Sequence, residues 1–119
     1  VVGTLAGRVV AMGAFRPVPE TTAALFDALS RPAVELKRLR VAPDHQRRGF
    51  GRAVLTELER RARESGAREA VLDVGADQDG ARRFYEARDY ACTGEVTVDA
   101  PAGSVALALY RRPLEGHDD

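Results

Sequence analysis

The stretch Val41–Leu58, VAPDHQRRGFGRAVLTEL, joins the end of a strand to an amphipathic helix through a polar loop with two glycines. Gly49 and Gly51 allow positive φ and a close approach of the backbone to a ligand. The helix after them offers unpaired N–H groups and the positive end of its dipole, which attract an anion. The cationic donors in and beside the loop are Arg47, Arg48 and Arg52. The stretch therefore predicts a binding site for a phosphorylated small molecule.

Composition indicates one domain without strong charge. The chain has 119 residues and a formal net charge of zero at pH 7. A neutral chain gives no reason to expect a nucleic acid or a membrane as a partner. Its single cysteine, Cys92, excludes an intrachain disulfide, and we expect a buried thiol in a reducing, cytoplasmic setting. No apolar run reaches the roughly 18 residues of a membrane span, and we expect no signal peptide.

Hydrophobic periodicity and turn residues predict a mixture of strands and helices. The predicted elements are, in order, a hairpin of Val1–Ala6 and Val9–Phe15, a short helix capped by Thr21 or Thr22 with Leu25, Phe26, Ala28 and Leu29 as its apolar face, a strand over Val34–Ala42, a helix over Gly51–Ser65, a strand over Ala70–Val74, a helix over Gln78–Arg88, and a hairpin of Thr93–Asp99 and Ser104–Tyr110. The strands on either side of the glycine loop and its helix form a βαβ unit. We therefore expect them to be parallel with a right-handed crossover.

The helix over Gly51–Ser65 separates an apolar face from a charged one. The apolar positions are Val54, Leu55, Leu58 and Ala62. The charged positions form the i,i+4 pairs Glu57/Arg61, Glu59/Arg63 and Arg60/Glu64, which we interpret as a solvated face. Gly66 is placed to end the helix in the left-handed conformation.

The strand over Val34–Ala42 changes phase in its middle. Val34 and Leu36 alternate correctly with each other, and so do Leu39 and Val41, but the two pairs are out of step by one residue. One interpretation is a β-bulge near Lys37 and Arg38. The other is a strand buried on both faces, where alternation is lost anyway.

The glycine loop lacks the motifs G-x-x-x-x-G-K-[ST] and G-x-G-x-x-G, which disfavours nucleotide triphosphate hydrolysis and a dinucleotide fold. Instead, Gln46–Gly51 resembles the Q/R-x-x-G-x-G/A acyl-CoA loop of the GNAT superfamily of N-acetyltransferases. Glu35–Pro43 resembles the strand before that loop, and Gln78-x-x-Ala81-x-x-Phe84-Tyr85 resembles a later helix motif. The resemblance spans about residues 1 to 110 in order.

The resemblance implies an α/β (α+β) domain with flanking helices, a central parallel βαβ unit and a mixed, mostly antiparallel twisted sheet that splays near the acyl-CoA site. It implies an acetyl-CoA-dependent N-acyltransferase that moves an acetyl group to a primary amine of a small molecule or peptide by direct attack, with backbone N–H groups stabilising the oxyanion. Acetyl-CoA would be the co-substrate and no metal is implied. The implied cofactor-binding residues are Leu39, Arg40, Val41, Gln46, Arg47, Arg48, Gly49, Phe50, Gly51, Arg52 and Gln78.

Two residues are candidates for the chemistry. The resemblance gives Tyr85 the role of the acid that protonates the departing thiolate, because a phenol stays protonated at neutral pH. The alternative is a core aromatic with a hydrogen-bonded hydroxyl. Glu35 either takes the proton of the amine or is paired with a neighbouring arginine.

The chain also departs from the family pattern. Asp89 stands where a glycine is usual, and Asp tolerates the left-handed turn. The usual first strand and the helices after it have no counterpart, so Thr21–Ser30 is expected to cover part of the acceptor pocket. This leaves a rival function, a non-catalytic acyl-CoA-binding module, and we also expect a homodimer through exposed strand edges.

We place a single acyl-CoA-binding domain at residues 1–112 and a polar C-terminal tail at residues 113–119, with the chain fraying from Arg111.

Overall fold

The computed structural model describes residues 1–114. The elements are β1 (Val2–Leu5), β2 (Arg8–Pro17), α1 (Glu20–Ala23), β3 (Ala33–Val41), a 3₁₀ turn (Pro43–His45), α2 (Phe50–Glu64), β4 (Glu69–Gly75), α3 (Asp79–Glu86), β5 (Ala91–Ala100) and β6 (Gly103–Pro113). The strands form one sheet in the order β1-β2-β3-β4-β6-β5. Only the β3–β4 pair is parallel, so the expected βαβ unit and the mixed, mostly antiparallel sheet are confirmed.

Helix α2 packs on one face of the sheet through its predicted apolar stripe. Val54, Leu55, Leu58 and Ala62 are all buried. Gly13 on β2 allows this approach, because a Cβ added there would lie 2.8 Å from Leu58 Cδ1. Gly66 ends the helix with a φ of +96°, as the sequence predicts. None of the helices within residues 1–114 is long and apolar enough to cross a membrane.

The phase change in β3 is a β-bulge. Met12 pairs with Arg40 and Ala14 pairs with Lys37, so Gly13 alone faces both Arg38 and Leu39. Arg38 has a φ of +60°, which is the left-handed region. The bulge interpretation is therefore confirmed, and it lets two consecutive side chains leave the regular alternation.

The parallel strands β3 and β4 separate on the side of the bulge. Backbone pairing between β3 and β4 ends at Glu35 and Val71, although β3 continues to Val41 and β4 to Gly75. The outer edges of both strands remain paired, to β2 and β6 respectively. A V-shaped gap therefore opens in the middle of the sheet, with two strand edges facing each other across it.

The helix predicted after Thr21 is mostly absent. Helix α1 covers only Glu20–Ala23, and its N-cap is Pro19 without a side-chain hydrogen bond, so neither threonine caps it. Phe26 instead turns onto the other face of the sheet and packs against Val71 and Leu109. The carbonyls of Asp27 and Ala28 accept hydrogen bonds from Arg111, which lies more than 80 residues later. A long-range contact thus overrides the local helix signal.

Three further predictions are wrong. Glu59 and Arg63 do not form a solvated pair: Glu59 is buried, accepting hydrogen bonds from Tyr90 (2.7 Å) and Arg112 (2.9 Å). The chain does not fray from Arg111, because β6 runs to Pro113 and Leu114 is 1% exposed. Cys92 is exposed rather than buried. The remainder of the predicted tail, residues 115–119, lies outside the described residues.

Candidate functional site

Two cavities open into the V-shaped gap and meet at its centre. We call the cavity beside the glycine loop the cofactor cavity, with a volume of about 630 Å³, and the cavity between the facing strand edges the acceptor cavity, with a volume of about 420 Å³. Four residues line both cavities: Leu39, Gln78, Ala81 and Tyr85. The junction therefore brings the bulged strand, the start of α3 and the Tyr85 side chain to one place.

The glycine loop forms the mouth of the cofactor cavity with its backbone. Arg47 and Gly49 have φ angles of +65° and +86°, so the loop makes two left-handed turns before α2 begins. Gly49 is the N-cap and offers no side-chain hydrogen bond. Within residues 1–114, the N–H groups of residues 50–52 consequently have no hydrogen-bond partner. These donors and the helix dipole form an anion-binding mouth.

Most of the residues that the resemblance assigns to the cofactor lie together. Those lining the cofactor cavity are Leu39, Val41, Gln46, Arg47, Gly49, Gly51, Arg52 and Gln78. The Gln46 side chain also donates to the Val41 carbonyl over 3.2 Å, which ties the loop back to β3. Gly51 lies against Phe84 and Val41, where an added Cβ would be 3.4 Å from a Val41 methyl.

Three of the assigned side chains lie elsewhere. Arg40 lines only the acceptor cavity. Arg48 lines neither cavity; its guanidinium lies 3.0 Å from His45 Nδ1 and 5.6 Å from the centre of the Phe50 ring. Phe50 is half-buried against the main core. Phe50 therefore contributes only its backbone N–H to the anion-binding mouth.

Arg88 also lines the cofactor cavity, although it is not among the residues that the resemblance assigns to the cofactor. Its Nη1 donates to the Phe84 carbonyl over 2.9 Å, and its guanidinium lies 4.1 Å above the Phe84 ring. Its Nε is buried and has no hydrogen-bond partner within residues 1–114. An arginine held by stacking with an unused donor beside the cavity is a candidate anion ligand. Its i,i+4 spacing from Phe84 was the available sequence signal.

Tyr85 lies at the junction in an apolar, aromatic environment. Its ring is 5.2 Å from Phe84 and 5.7 Å from Tyr90, centre to centre, in edge-on contacts. The hydroxyl makes no hydrogen bond to another residue of 1–114, unlike those of Tyr90 and Tyr110. Burial raises the pKa of Tyr85 to about 12. The phenol is therefore protonated at neutral pH and available to donate into the junction.

The acceptor cavity holds two carboxylates. Glu35 is 4% exposed, and its Oε1 accepts a hydrogen bond from Arg16 Nε on β2 (3.0 Å) and lies 2.9 Å from Arg16 Nη2 in a salt bridge. Asp73 projects from β4 into the same cavity and has no salt bridge within residues 1–114. Desolvation and the charge of Glu35 raise the pKa of Asp73, while Lys37 opposes the rise. Asp73 is thus the better placed of the two to accept a proton.

Comparison with known proteins identifies the family. A model of the acetyltransferase (GNAT) family matches residues 1–90. The chain is 33% identical to mouse N-acetyltransferase 8 over 103 residues, which is 87% of this chain and 43% of that protein. The chain thus spans less than half the length of this curated relative.

Solved structures share the fold. The protein yncA of Salmonella typhimurium, solved with its cofactor acetyl-CoA, has a TM-score of 0.77 at 22% identity, covering 99% of this chain and 65% of that one. The ribosomal-protein-S18-alanine N-acetyltransferase of Escherichia coli has a TM-score of 0.72 at 22% identity, covering 98% and 70%. The α/β fold expected from the sequence is thereby confirmed. On the family match and the mouse relative, the chain belongs to the GNAT family of acetyltransferases.

Proposed function

We propose that the protein is an N-acetyltransferase that moves the acetyl group of acetyl-CoA to a primary amine of a small molecule or peptide. The observation that carries the proposal is the meeting of two cavities at Tyr85, one with an anion-binding mouth and the other with a carboxylate. A transferase for two substrates needs this arrangement, because their reacting atoms must come within contact distance.

The cofactor cavity suits acetyl-CoA in both shape and chemistry. The unpaired N–H groups at the start of α2, with Arg47 and Arg52, would bind the pyrophosphate. Arg88 would add a further contact to the phosphates from the opposite wall. The β3 edge near Leu39 to Val41, which is free of β4 and borders the cofactor cavity through Leu39 and Val41, would pair with the amide groups of the pantetheine arm. Acetyl-CoA supplies the activated thioester.

The remaining side chains suit the proton transfers. The amine nitrogen forms a bond to the acetyl carbon, the carbon–sulfur bond breaks, and the amine loses a proton while the thiolate gains one. We propose Asp73 as the group that takes the amine proton, directly or through water, and Tyr85 as the group that protonates the thiolate. Glu35, the alternative base, is held by Arg16, and we propose a positioning role for that pair.

Two measurements test the proposal. Titration with acetyl-CoA should show binding, and thiol release in the presence of a panel of small amines and peptides should be faster than release by water alone. Binding of acetyl-CoA without amine-dependent release on any member would support the rival, a non-catalytic acyl-CoA-binding module. Absence of both binding and release would reject both functions.

A further inference from the structure

The acceptor cavity carries positive charge that the proposed reaction does not use. Lys37, Arg38 and Arg40 line this cavity and do not line the cofactor cavity. All three are exposed, and none of their side chains forms a hydrogen bond or a salt bridge with another residue of 1–114. These cations are therefore not required to hold the sheet together.

Neighbouring cations on the free edge of β3 border the same cavity. In a regular strand, consecutive side chains point to opposite faces. Here Arg38 adopts a φ of +60° inside the bulge, and both Lys37 and Arg38 line the acceptor cavity. Every residue from Glu35 to Arg40 borders the cavity, within the bulge and on both sides of it, so the free edge of β3 brings three cations beside the junction.

The carboxylates of the cavity do not balance these cations. The charge of Glu35 is already matched by its salt bridge to Arg16 on the neighbouring strand. Asp73 is the one remaining carboxylate among the described lining residues, and the Lys37 charge acts on it. The cavity consequently keeps a net positive charge, with Asp73 as the carboxylate that has no salt bridge among the described residues.

We propose that the acceptor is an amine that carries a carboxylate close to its amino group. This inference rests on the proposed function and names its substrate class. Asp73 would receive the amino group, while Lys37 and Arg38 would bind the carboxylate. The shared chemistry is that of a free amino acid or of a peptide N-terminus followed by an acidic side chain. A volume of about 420 Å³ accommodates either an amino acid or the first residues of a peptide.

The experiment compares acceptors that differ only in the carboxylate. Glycine, alanine and glutamate are each measured against the corresponding carboxamide, and the peptide Ala-Glu-Ala-amide is measured against Ala-Gln-Ala-amide. An amino acid amide has the less basic amine, so more of it is in the reactive free form at neutral pH. We expect kcat/KM to favour the carboxylate member of at least one series by about tenfold, against that bias. A preference in the amino acid series identifies the carboxylate as that of a free amino acid. A preference in the peptide series identifies it as the acidic side chain after the N-terminal residue.

Charge variants connect the preference to the cavity. Lys37→Gln and Arg38→Gln should each lower kcat/KM for the carboxylate acceptor by about threefold to tenfold and leave the carboxamide unchanged. The double variant Lys37→Glu/Arg38→Glu should remove or reverse the preference. Arg8→Gln, an exposed arginine on the distant hairpin, is the matched control. Equal rates within every pair, or an unchanged preference in the double variant, would overturn the inference.

A failure of catalysis is distinguishable from a failure of the inference. If no amine releases thiol, the proposed function is wrong, and binding of the same pairs to the CoA complex is measured by NMR titration. Binding of the carboxylate member about tenfold more tightly, lost in the double variant, would still support a carboxylate-binding acceptor cavity. Equal binding of both members would overturn it.

Discussion

The two cavities share a wall at Tyr85 but are built in different ways. The mouth of the cofactor cavity comes from one continuous stretch, residues 46–52, and presents mainly backbone N–H groups. The acceptor cavity presents side chains from β3 and β4, and its Glu35 is held by Arg16, 19 residues earlier in the chain. If the proposed function is correct, recognition of the cofactor is encoded locally, whereas recognition of the acceptor depends on how distant segments pack.

The largest effect is expected at the shared wall, where both halves of the reaction meet. Tyr85→Phe should lower kcat by about a hundredfold, because general acid catalysis typically contributes that much or more. The KM for acetyl-CoA should change by less than about twofold, because the Tyr85 hydroxyl has no hydrogen-bond partner within residues 1–114 that its removal would leave unpaired. Steady-state thiol release measures both constants.

The ionisation of Tyr85 gives this prediction an independent check. Burial raises the pKa of Tyr85 to about 12, so the acid stays protonated throughout the usual assay range. The wild-type kcat should therefore show no loss of an acid up to about pH 10. An unchanged kcat in the Phe variant would remove Tyr85 as the acid and leave it a core aromatic.

A smaller effect, confined to the acceptor side, is expected from Asp73→Asn. Loss of the proton acceptor should lower kcat/KM for the amine by about tenfold to a hundredfold and leave acetyl-CoA binding unchanged. Asp99→Asn on the far hairpin is the control, because asparagine can still accept the Ser104 hydroxyl hydrogen bond. Equal losses in the two variants would show that Asp73 has no special role.

The substitution Asp73→Asn should increase stability although it lowers activity. Desolvation and the charge of Glu35 raise the pKa of Asp73, so the native state binds the proton of this carboxyl more tightly than the unfolded state. The ionised carboxylate therefore costs stability above its folded pKa, and that cost disappears as the pH falls below the usual carboxyl range. Asp73→Asn should raise the free energy of unfolding slightly at pH 7, and the gain should shrink in acid. Urea unfolding at both pH values measures it.

The backbone character of the cofactor mouth is tested by Gly49→Ala. A φ of +86° is unfavourable for alanine, so the variant should lose about 1–2 kcal/mol of stability or shift the loop. Displaced N–H groups should weaken acetyl-CoA binding by about fivefold to tenfold. Gly66→Ala is a matched control, with a φ of +96° at the other end of α2 and open space around it. It should lose similar stability without a change in affinity; equal affinities in both variants would contradict the backbone role.

The difference between the cavities also decides what the sequence could predict. Helix α2 with its buried face, Gly66 and the parallel unit followed from local spacing, which also offered the bulge as one of two interpretations. The structure contains all of them. The short α1 did not follow from local spacing, because its length depends on distant residues: Phe26 packs against Val71 and Leu109, and Arg111 donates to the carbonyls just after it. Glu59 was misread for the same reason: its partners, Tyr90 and Arg112, lie 31 and 53 residues away.

The acceptor side shows the same limit within the site itself. The strand pattern located the bulge, but it gave no indication that Asp73 would lie across the gap from Glu35. The sequence offered an arginine partner for Glu35 as one alternative, and the structure contains such a pair, but the pattern did not identify Arg16 as that partner. Periodicity reports which face a residue is on, whereas the charge of a cavity depends on every strand that borders it.

The smallest effect is expected from Arg88, the one side chain that extends the cofactor cavity beyond the glycine loop. Arg88→Gln should raise the Kd for CoA by about threefold to fivefold, the range of a half-exposed charge contact, and leave kcat nearly unchanged. Arg83→Gln, an exposed arginine on the same helix, is the matched control. Dephospho-CoA, which lacks the ribose phosphate, shows which phosphate Arg88 contacts. If Arg88→Gln weakens the binding of dephospho-CoA as much as that of CoA, Arg88 contacts the pyrophosphate. If it weakens only the binding of CoA, Arg88 contacts the ribose phosphate. No difference between the Arg88 and Arg83 variants would confine phosphate recognition to the loop and helix α2.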